Sequence, residues 1–176
     1  MGTMSTQPGV RPDPAFGLLE LYDEALPHVY GYLLARCGDR PLAEDLTAET
    51  FLAAVSAIRK PDVSRLSIAW LIGVARHKLA DHWRRLEREE RGLRVLDGEP
   101  AAEDPWDVTV DGIRARAALA ELGAHHRAAL TLRYLDGLPV NEVASHLGRT
   151  VHATEALLVR ARNAFRRAYT GEEGRS

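Results

Sequence analysis

The chain contains one cysteine, Cys37, in 176 residues. No intramolecular disulfide can form, and no thiolate zinc site is available. Cys37 is expected to serve as a small buried hydrophobe, in keeping with a reducing cytosol. No apolar run approaches the roughly 20 residues needed to span a bilayer. The opening stretch to Asp13 is rich in Pro, Gly, Ser and Thr and lacks the apolar centre of a signal peptide, so it reads as a tail. Aromatic residues are only 6%, which favours helices packed by aliphatic side chains over a sheet. No HExxH motif, Gly-rich phosphate loop or nucleophile elbow occurs, so the common hydrolase and nucleotide-binding chemistries lack their residues.

What the chain has in quantity is helix-forming pattern. Hydrophobic residues are 45%, enough for a packed core in one ordinary domain or two small ones. A first helix is expected from about Phe16 to Arg36, with Leu18, Leu19, Tyr22, Leu26, Val29, Tyr30 and Leu33 on one stripe. Pro27 is expected to kink or interrupt it. A second helix is expected from Pro41 to Ile58, with Leu42, Leu46, Val55, Ile58 and either Phe51 or Leu52 inward and Glu44, Asp45 and Glu49 outward. Lys60-Pro61-Asp62 breaks it. Ser67 is placed to cap a long third helix, about Ile68 to Arg94. The first half of that helix is apolar, and its second half carries Arg84, Arg85, Arg88, Arg91 and Arg94 interleaved with Glu87, Glu89 and Glu90.

The net charge of -2 conceals a sharp local shift. Between Val95 and Gly112 there are six carboxylates, two prolines and no Lys or Arg, the composition of an acidic linker between domains. Beyond it, helices are expected at Ile113–Leu122, His125–Leu135, Pro139–Leu147 and Thr150–Tyr169. Gly137 and Gly148 act as stops and Thr150 as a cap. His125 and His126 read as an exposed pair at a helix start. The segment Pro139–Arg162 has helix-turn-helix proportions: Val143, Ala144 and Leu147 face inward against Val151, Leu157 or Leu158, and Ala161. Such a unit lays its second helix in the DNA major groove. The expected organisation is all-α: a tail over 1–15, a helical domain over 16–94, a flexible acidic linker over 95–112, a helix-turn-helix domain over 113–170 and a short tail over 171–176.

Three blocks in order strengthen that reading. The run Ala43-Glu44-Asp45-Leu46-Thr47-Ala48-Glu49-Thr50-Phe51-Leu52 resembles the polymerase-binding motif of bacterial RNA polymerase sigma factors of the extracytoplasmic-function (ECF) subfamily. Ala69-Trp70-Leu71-Ile72-Gly73-Val74-Ala75-Arg76, continued by Asp81-His82-Trp83-Arg84-Arg85, is similar to the stretch that melts and reads the minus-ten element. Arg133-Tyr134-Leu135-Asp136-Gly137-Leu138, Glu142-Val143-Ala144, Leu147-Gly148-Arg149-Thr150 and Arg160-Ala161-Arg162 resemble the minus-thirty-five domain. The likeness covers about Leu18 to Ala168.

The resemblance implies a promoter-specificity factor that catalyses nothing and needs no cofactor or metal. Its implied partners are core RNA polymerase, through clamp and flap, and promoter DNA; an anti-sigma protein is a further candidate, no membrane is involved, and the expected location is the bacterial cytoplasm. Polymerase binding falls to Glu44, Asp45, Glu49, Phe51 and Leu52. Minus-ten DNA falls to Val63, Ser64, Arg65, Arg76, His77, Lys78, Asp81, Arg84 and Arg85, with the loop Pro61–Ser67 forming part of a pocket for a flipped-out base. Minus-thirty-five DNA falls to Arg149, Thr150, His152, Ala153, Glu155, Ala156, Val159 and Arg160. The acidic linker is implied to thread the channel through which RNA leaves. The chain departs from the family pattern at His77 (commonly Asn), at Trp83 (commonly Leu), and at Glu155 and Leu157 (often basic).

Two other readings compete. One is a helix-turn-helix regulator that binds DNA without polymerase, using Leu18–Arg94 for sensing or dimerisation. The other is a helical metallohydrolase built on Glu49, His77 and Asp81, the last two of which stand at i, i+4 on one helix. Within the family reading, Asp81 is expected to pair with Arg84 or Arg85. Glu155 is expected either to read cytosine or to orient Arg149 or His152.

Overall fold

The computed structural model describes residues 14–60, 66–93 and 112–171. The amino-terminal tail, the acidic segment up to Asp111, the carboxy-terminal tail and the loop residues Val63, Ser64 and Arg65 lie outside the described residues.

The first helix, α1, runs Pro14–Cys37 and passes through Pro27 without interruption. Proline forfeits one helical hydrogen bond, but Ala25, Val29 and Leu33 around it are fully buried, and tertiary packing carries the helix past the missing bond. The expected stripe is narrower than drawn: Leu19 and Tyr22 are exposed. The second helix, α2 (Arg40–Ile58), begins where the Asp39 carboxylate accepts from the Leu42 amide at 3.3 Å. It buries Leu46 and Phe51, whereas Leu52 is 65% exposed. Thr47 and Thr50 are also buried, their hydroxyls donating to the Ala43 and Leu46 carbonyls at 2.6 and 2.7 Å, so no hydroxyl there lacks a partner. The third helix, α3 (Ile68–Leu93), starts at Ser67, whose hydroxyl accepts from the Trp70 amide at 3.1 Å. α1, α2 and α3 pack on one another as a three-helix unit.

The second unit begins with α4 (Gly112–Glu121) and α5 (Ala124–Leu130). The helix expected over His125–Leu135 changes character near its end. Thr131–Leu135 is a π-helical turn, in which the Asp136 amide donates to the Thr131 carbonyl at 3.0 Å. Gly137 follows at φ +67°, a left-handed conformation that glycine adopts freely. This widened turn sets the direction of Asp136. Two helices complete the unit: α6 (Val140–Leu147) and α7 (Val151–Thr170). His125 and His126 are not an exposed pair. Both are half-buried, with ring centroids 4.1 Å apart.

The two units are not separate bodies. A single apolar cluster runs from Val29, Leu46 and Leu79 through Trp83 to Ala128, Leu132, Val143 and Leu157. Helix α3 lies against α5 and α6 as well as against α1 and α2. A smaller cluster of Ala118, Leu122, Leu130, Ala161 and Phe165 ties α4 to α7. Among the described residues Trp83 is the largest fully buried side chain, at 2% exposure; the departure from the usual Leu therefore fills a core position, and no DNA-facing role is open to it.

Trp83→Ala should lower unfolding stability by about 3–5 kcal/mol, the ordinary loss for a buried Trp. Urea denaturation measures this, and a loss under about 1 kcal/mol would contradict core placement. His126 gives a second test. Burial is the largest cause holding its pKa near 4, with the charges of His125, Arg160 and Arg167 adding to it. The unfolded chain therefore takes up a proton near pH 6.5 that the folded chain refuses until about pH 4. The His126 contribution to stability is complete above pH 6.5 and falls as pH drops toward 4. Replacing His126 by Gln should flatten the slope of unfolding free energy between pH 6.5 and 5; an unchanged slope counts against the assignment.

Candidate nucleic-acid interface

The helix-turn-helix is built from small apolar contacts. Val143 and Leu147 on α6 share a cluster with Leu157 and Leu158 on α7, all buried, as is Ala144; Ala161 is buried too, but in the smaller cluster against α4. Gly148 turns the chain at φ +62°, and the Arg149 amide returns to the Ala144 carbonyl at 3.0 Å. The Thr150 hydroxyl caps α7 by accepting from the Ala153 amide at 3.2 Å. Buried Thr154 donates its hydroxyl to the Thr150 carbonyl at 2.9 Å. Leu157, where a basic residue was the common alternative, is 1% exposed. A charge there would have to be buried, which explains the departure. Val151, expected inward, is exposed.

The outer surface of α7 carries exposed His152, Glu155 and Arg160, with Ala153, Ala156 and Val159 half-exposed. A stripe of small side chains flanked by polar ones suits close approach to base edges. Glu155 does not orient Arg149: the Arg149 guanidinium pairs instead with Glu87 of α3. Tyr134 is exposed, and its hydroxyl accepts from Arg162 at 3.1 Å.

Helix α3 presents the second group of cations. Arg84 pairs with Asp81, as the i, i+3 spacing suggested. Lys78 reaches Glu49 of α2 at 3.5 Å. Arg85 is exposed, and a cleft of ≈ 620 Å³ between α3 and the α6–α7 turn is lined by Lys78, Arg84, Arg85 and Arg88, by the carboxylates Glu49, Asp81 and Glu87, and by Gly148. The His77 ring lies on that of His146, centroids 4.5 Å apart. Burial is the main cause lowering the His146 pKa, aided by His77 and Arg76. The candidate metal set disperses among these partners, and among the described residues no three His, Cys, Asp or Glu side chains could hold a metal ion.

On α2, Glu44 and Asp45 point outward, while Glu49 is partly covered. Next to them is an apolar groove floored by Phe51 and edged by Tyr22, Leu26, Pro27 and Tyr30. Tyr22 rests on Phe51 with centroids 4.7 Å apart, and Leu52 stands free nearby. The face thus combines carboxylates with uncovered apolar surface, the composition of a protein-docking patch. Cys37 is half-buried, its thiol directed to the Asp39 carbonyl; burial raises its pKa.

One cluster was not anticipated. The Asp136 carboxylate is buried and held by side chains of α1 and α3. It accepts from Arg36 Nε at 2.7 Å, from the Tyr32 hydroxyl at 2.8 Å and from Arg76 Nε at 3.3 Å. Burial and the adjacent carboxylate raise the Tyr32 pKa far above its ordinary value, so the hydroxyl keeps its proton. The local signal was Asp136-Gly137, which reads only as a helix stop; its partners lie 60 to 104 residues away.

Comparison with known proteins resolves which family these surfaces belong to. Residues 21–89 match the family model Sigma-70 region 2, and residues 113–165 match Sigma-70, region 4. The chain is 35% identical over 153 residues to the ECF RNA polymerase sigma factor BldN of Streptomyces coelicolor, covering 84% of this chain and 57% of that one. It is 33% identical over 154 residues to the ECF RNA polymerase sigma factor SigM of Bacillus subtilis, covering 85% and 93%. The fold resembles that of the sigma factor RpoE in its complex with the anti-sigma factor NepR from Bartonella quintana. The TM-score is 0.52 at 21% identity, over 89% of this chain and 98% of that one. With both region models matched in order and a relative of nearly the same length aligned almost end to end, the chain belongs to the ECF RNA polymerase sigma factors.

Proposed function

We propose that this chain directs core RNA polymerase to a specific set of promoters and helps to open their minus-ten DNA. The observation that carries the proposal is the presence, on one helical chain, of two chemically opposite surfaces: an acidic-apolar face on α2 and arginine-bearing faces on α3 and α7. A DNA-binding regulator needs only the second. An adaptor between a basic protein surface and nucleic acid needs both.

Residues 16–94 take polymerase binding and the minus-ten element. Glu44, Asp45 and Glu49 meet a basic clamp surface, with Leu52 and the rim of the Phe51 groove supplying apolar contact. Arg76, His77, Lys78, Asp81, Arg84 and Arg85 follow the opened strand, where unstacked bases must be repaid by backbone and pocket contacts. Residues 95–112 tether the two halves, and residues 113–170 hold the minus-thirty-five duplex through Arg149, Thr150 and the outer face of α7. No residue is assigned a catalytic role. Anti-sigma control is proposed by likeness to the RpoE–NepR complex, and the chain is placed in the cytoplasm, where polymerase works. The direct test is run-off transcription from a promoter library by core polymerase with and without the chain: selected promoters should fire only with both, and binding of the same promoters by the chain alone would favour the polymerase-independent regulator.

Two substitutions sharpen it. Exposed charge pairs contribute only about 0–1 kcal/mol each, so reversing Glu44 and Asp45 together to Lys, with Leu52→Ala, should abolish pull-down of core polymerase where single changes weaken it; wild-type recovery by the folded triple variant would remove α2 as the docking face. Glu155→Ala should relax preference at one minus-thirty-five position by about 1–3 kcal/mol if its carboxylate accepts from a cytosine amino group. Transcription from all single-base variants of the element measures this, and identical base preferences would eliminate direct reading.

A further inference from the structure

Helix α7 runs on beyond the residues assigned above to base edges. Side chains three, four and seven positions apart share a helix face, so Arg162 lies on the same side as Glu155 and Val159. At 1.5 Å per residue, Arg162 stands about 10 Å further along the axis than Glu155. The major groove is about 12 Å wide, and a recognition helix contacts bases through its amino-terminal residues. With Glu155 over base edges, Arg162 comes to the wall of the groove, where phosphates form the rim. Glu155 is acidic and Leu157 is buried, so neither can bind a phosphate, and contact with the backbone has to come from elsewhere on the unit.

Arg162 has a partner there from another element. Its Nη1 donates to the Tyr134 hydroxyl at 3.1 Å, across 28 residues of sequence. Tyr134 belongs to the π-helical turn after α5 and is 44% exposed. The Arg133 guanidinium lies 5.8 Å from the centre of the Tyr134 ring and is itself anchored, donating to the Leu138 carbonyl at 3.0 Å. The phenol is thus held in place by two guanidinium groups. A phenol whose oxygen accepts from a guanidinium still carries its own O–H as a donor. Among the described residues Arg162 forms no salt bridge, so no carboxylate neutralises its charge. Tyr134 and Arg162 together offer one neutral and one charged donor, and a phosphate has oxygens enough to accept from both.

We propose that Tyr134 and Arg162 form a phosphate clamp that seats α7 on the minus-thirty-five duplex, one backbone phosphate accepting from the phenol and the guanidinium together. Both are positioning residues: the clamp sets how deep and in what register α7 enters the groove, and it reads no base. The clamp rests on the minus-thirty-five role proposed above for residues 113–170. A contact that merely ties α5 to α7 within the unit would show no dependence on the charge of any DNA phosphate.

Promoter binding by the full chain with core polymerase tests the clamp. Single uncharged methylphosphonates are placed in turn at each phosphate of the minus-thirty-five element. One phosphate, or two adjacent ones, should cost the wild type about ten-fold in affinity, cost Tyr134→Phe less, and cost Arg162→Gln little. Tyr134→Phe should itself bind every minus-thirty-five sequence about three- to ten-fold more weakly. Its base preferences and salt dependence should be unchanged, because the lost donor is neutral and touches no base. Arg162→Gln should in addition reduce the slope of log affinity against log salt by about 1. Equal losses for wild type and both variants at every phosphate overturn the clamp and leave a tie between α5 and α7. A changed preference at a single base in Tyr134→Phe also overturns it, since the phenol would then read that base. Should Arg162→Gln fail to fold, Tyr134→Phe decides alone, because the ring and its packing are kept. Selective promoter binding by wild type with uniform phosphonate losses overturns the clamp alone; no selective binding by wild type overturns the proposed function and the clamp with it.

Discussion

A carboxylate removed from water must be compensated where it lies, and Asp136 is compensated by another part of the chain. Its two guanidinium partners and one phenol belong to α1 and α3, although the residue itself closes the π-turn after α5. Leaving such a charge without its partners is strongly destabilising, about 3–5 kcal/mol in comparable buried pairs. The geometry around it follows from that requirement. The widened turn and the left-handed Gly137 direct the carboxylate toward α1, and Arg36 is held over the Tyr32 ring to receive it. The apolar cluster shared by both units then closes alongside.

That closure gives α3 two uses for the same cations. Against the carboxy-terminal unit, Arg76 and Arg84 meet a carboxylate and a glycine turn; against DNA they would meet phosphates. Guanidinium groups serve both, because they fork onto paired oxygens of either kind. The α2 face has no such double use. Glu44, Asp45 and the Phe51 groove stay uncovered when the two units are packed together, so a basic protein surface can reach them without rearrangement of the chain.

Much of the fold could be read locally. Ser67 and Thr150 cap their helices, Gly137 and Gly148 take left-handed turns, and Val143, Ala144 and Leu147 are buried as their spacing indicated. These features depend on a few neighbouring residues. The positions left open or misread depend on what lies opposite. Phe51 and Leu52 are equivalent as hydrophobes, and only the docking of α1 decides that Phe51 is covered and Leu52 left bare. Pro27 is tolerated because α1 is buried on both sides of it. Periodicity could not reveal that α3 would serve both units, so the partners of Asp136, Glu87 and His77 were invisible. Sequence pattern narrowed the role of Glu155 to two readings, and the pairing of Arg149 with Glu87 leaves Arg149 unavailable for one of them in this conformation.

The account stands on one chain bridging polymerase and promoter through two separate surfaces. Placing a photo-crosslinking residue at Leu52 in one sample and at Glu155 in another, each in a complex of chain, core polymerase and promoter, tests that most directly. Leu52 should crosslink to polymerase and Glu155 to duplex DNA at the minus-thirty-five element, and the Glu155 crosslink should vanish when polymerase is omitted. A Glu155 crosslink of equal yield without polymerase, or a Leu52 crosslink to DNA, would contradict the account.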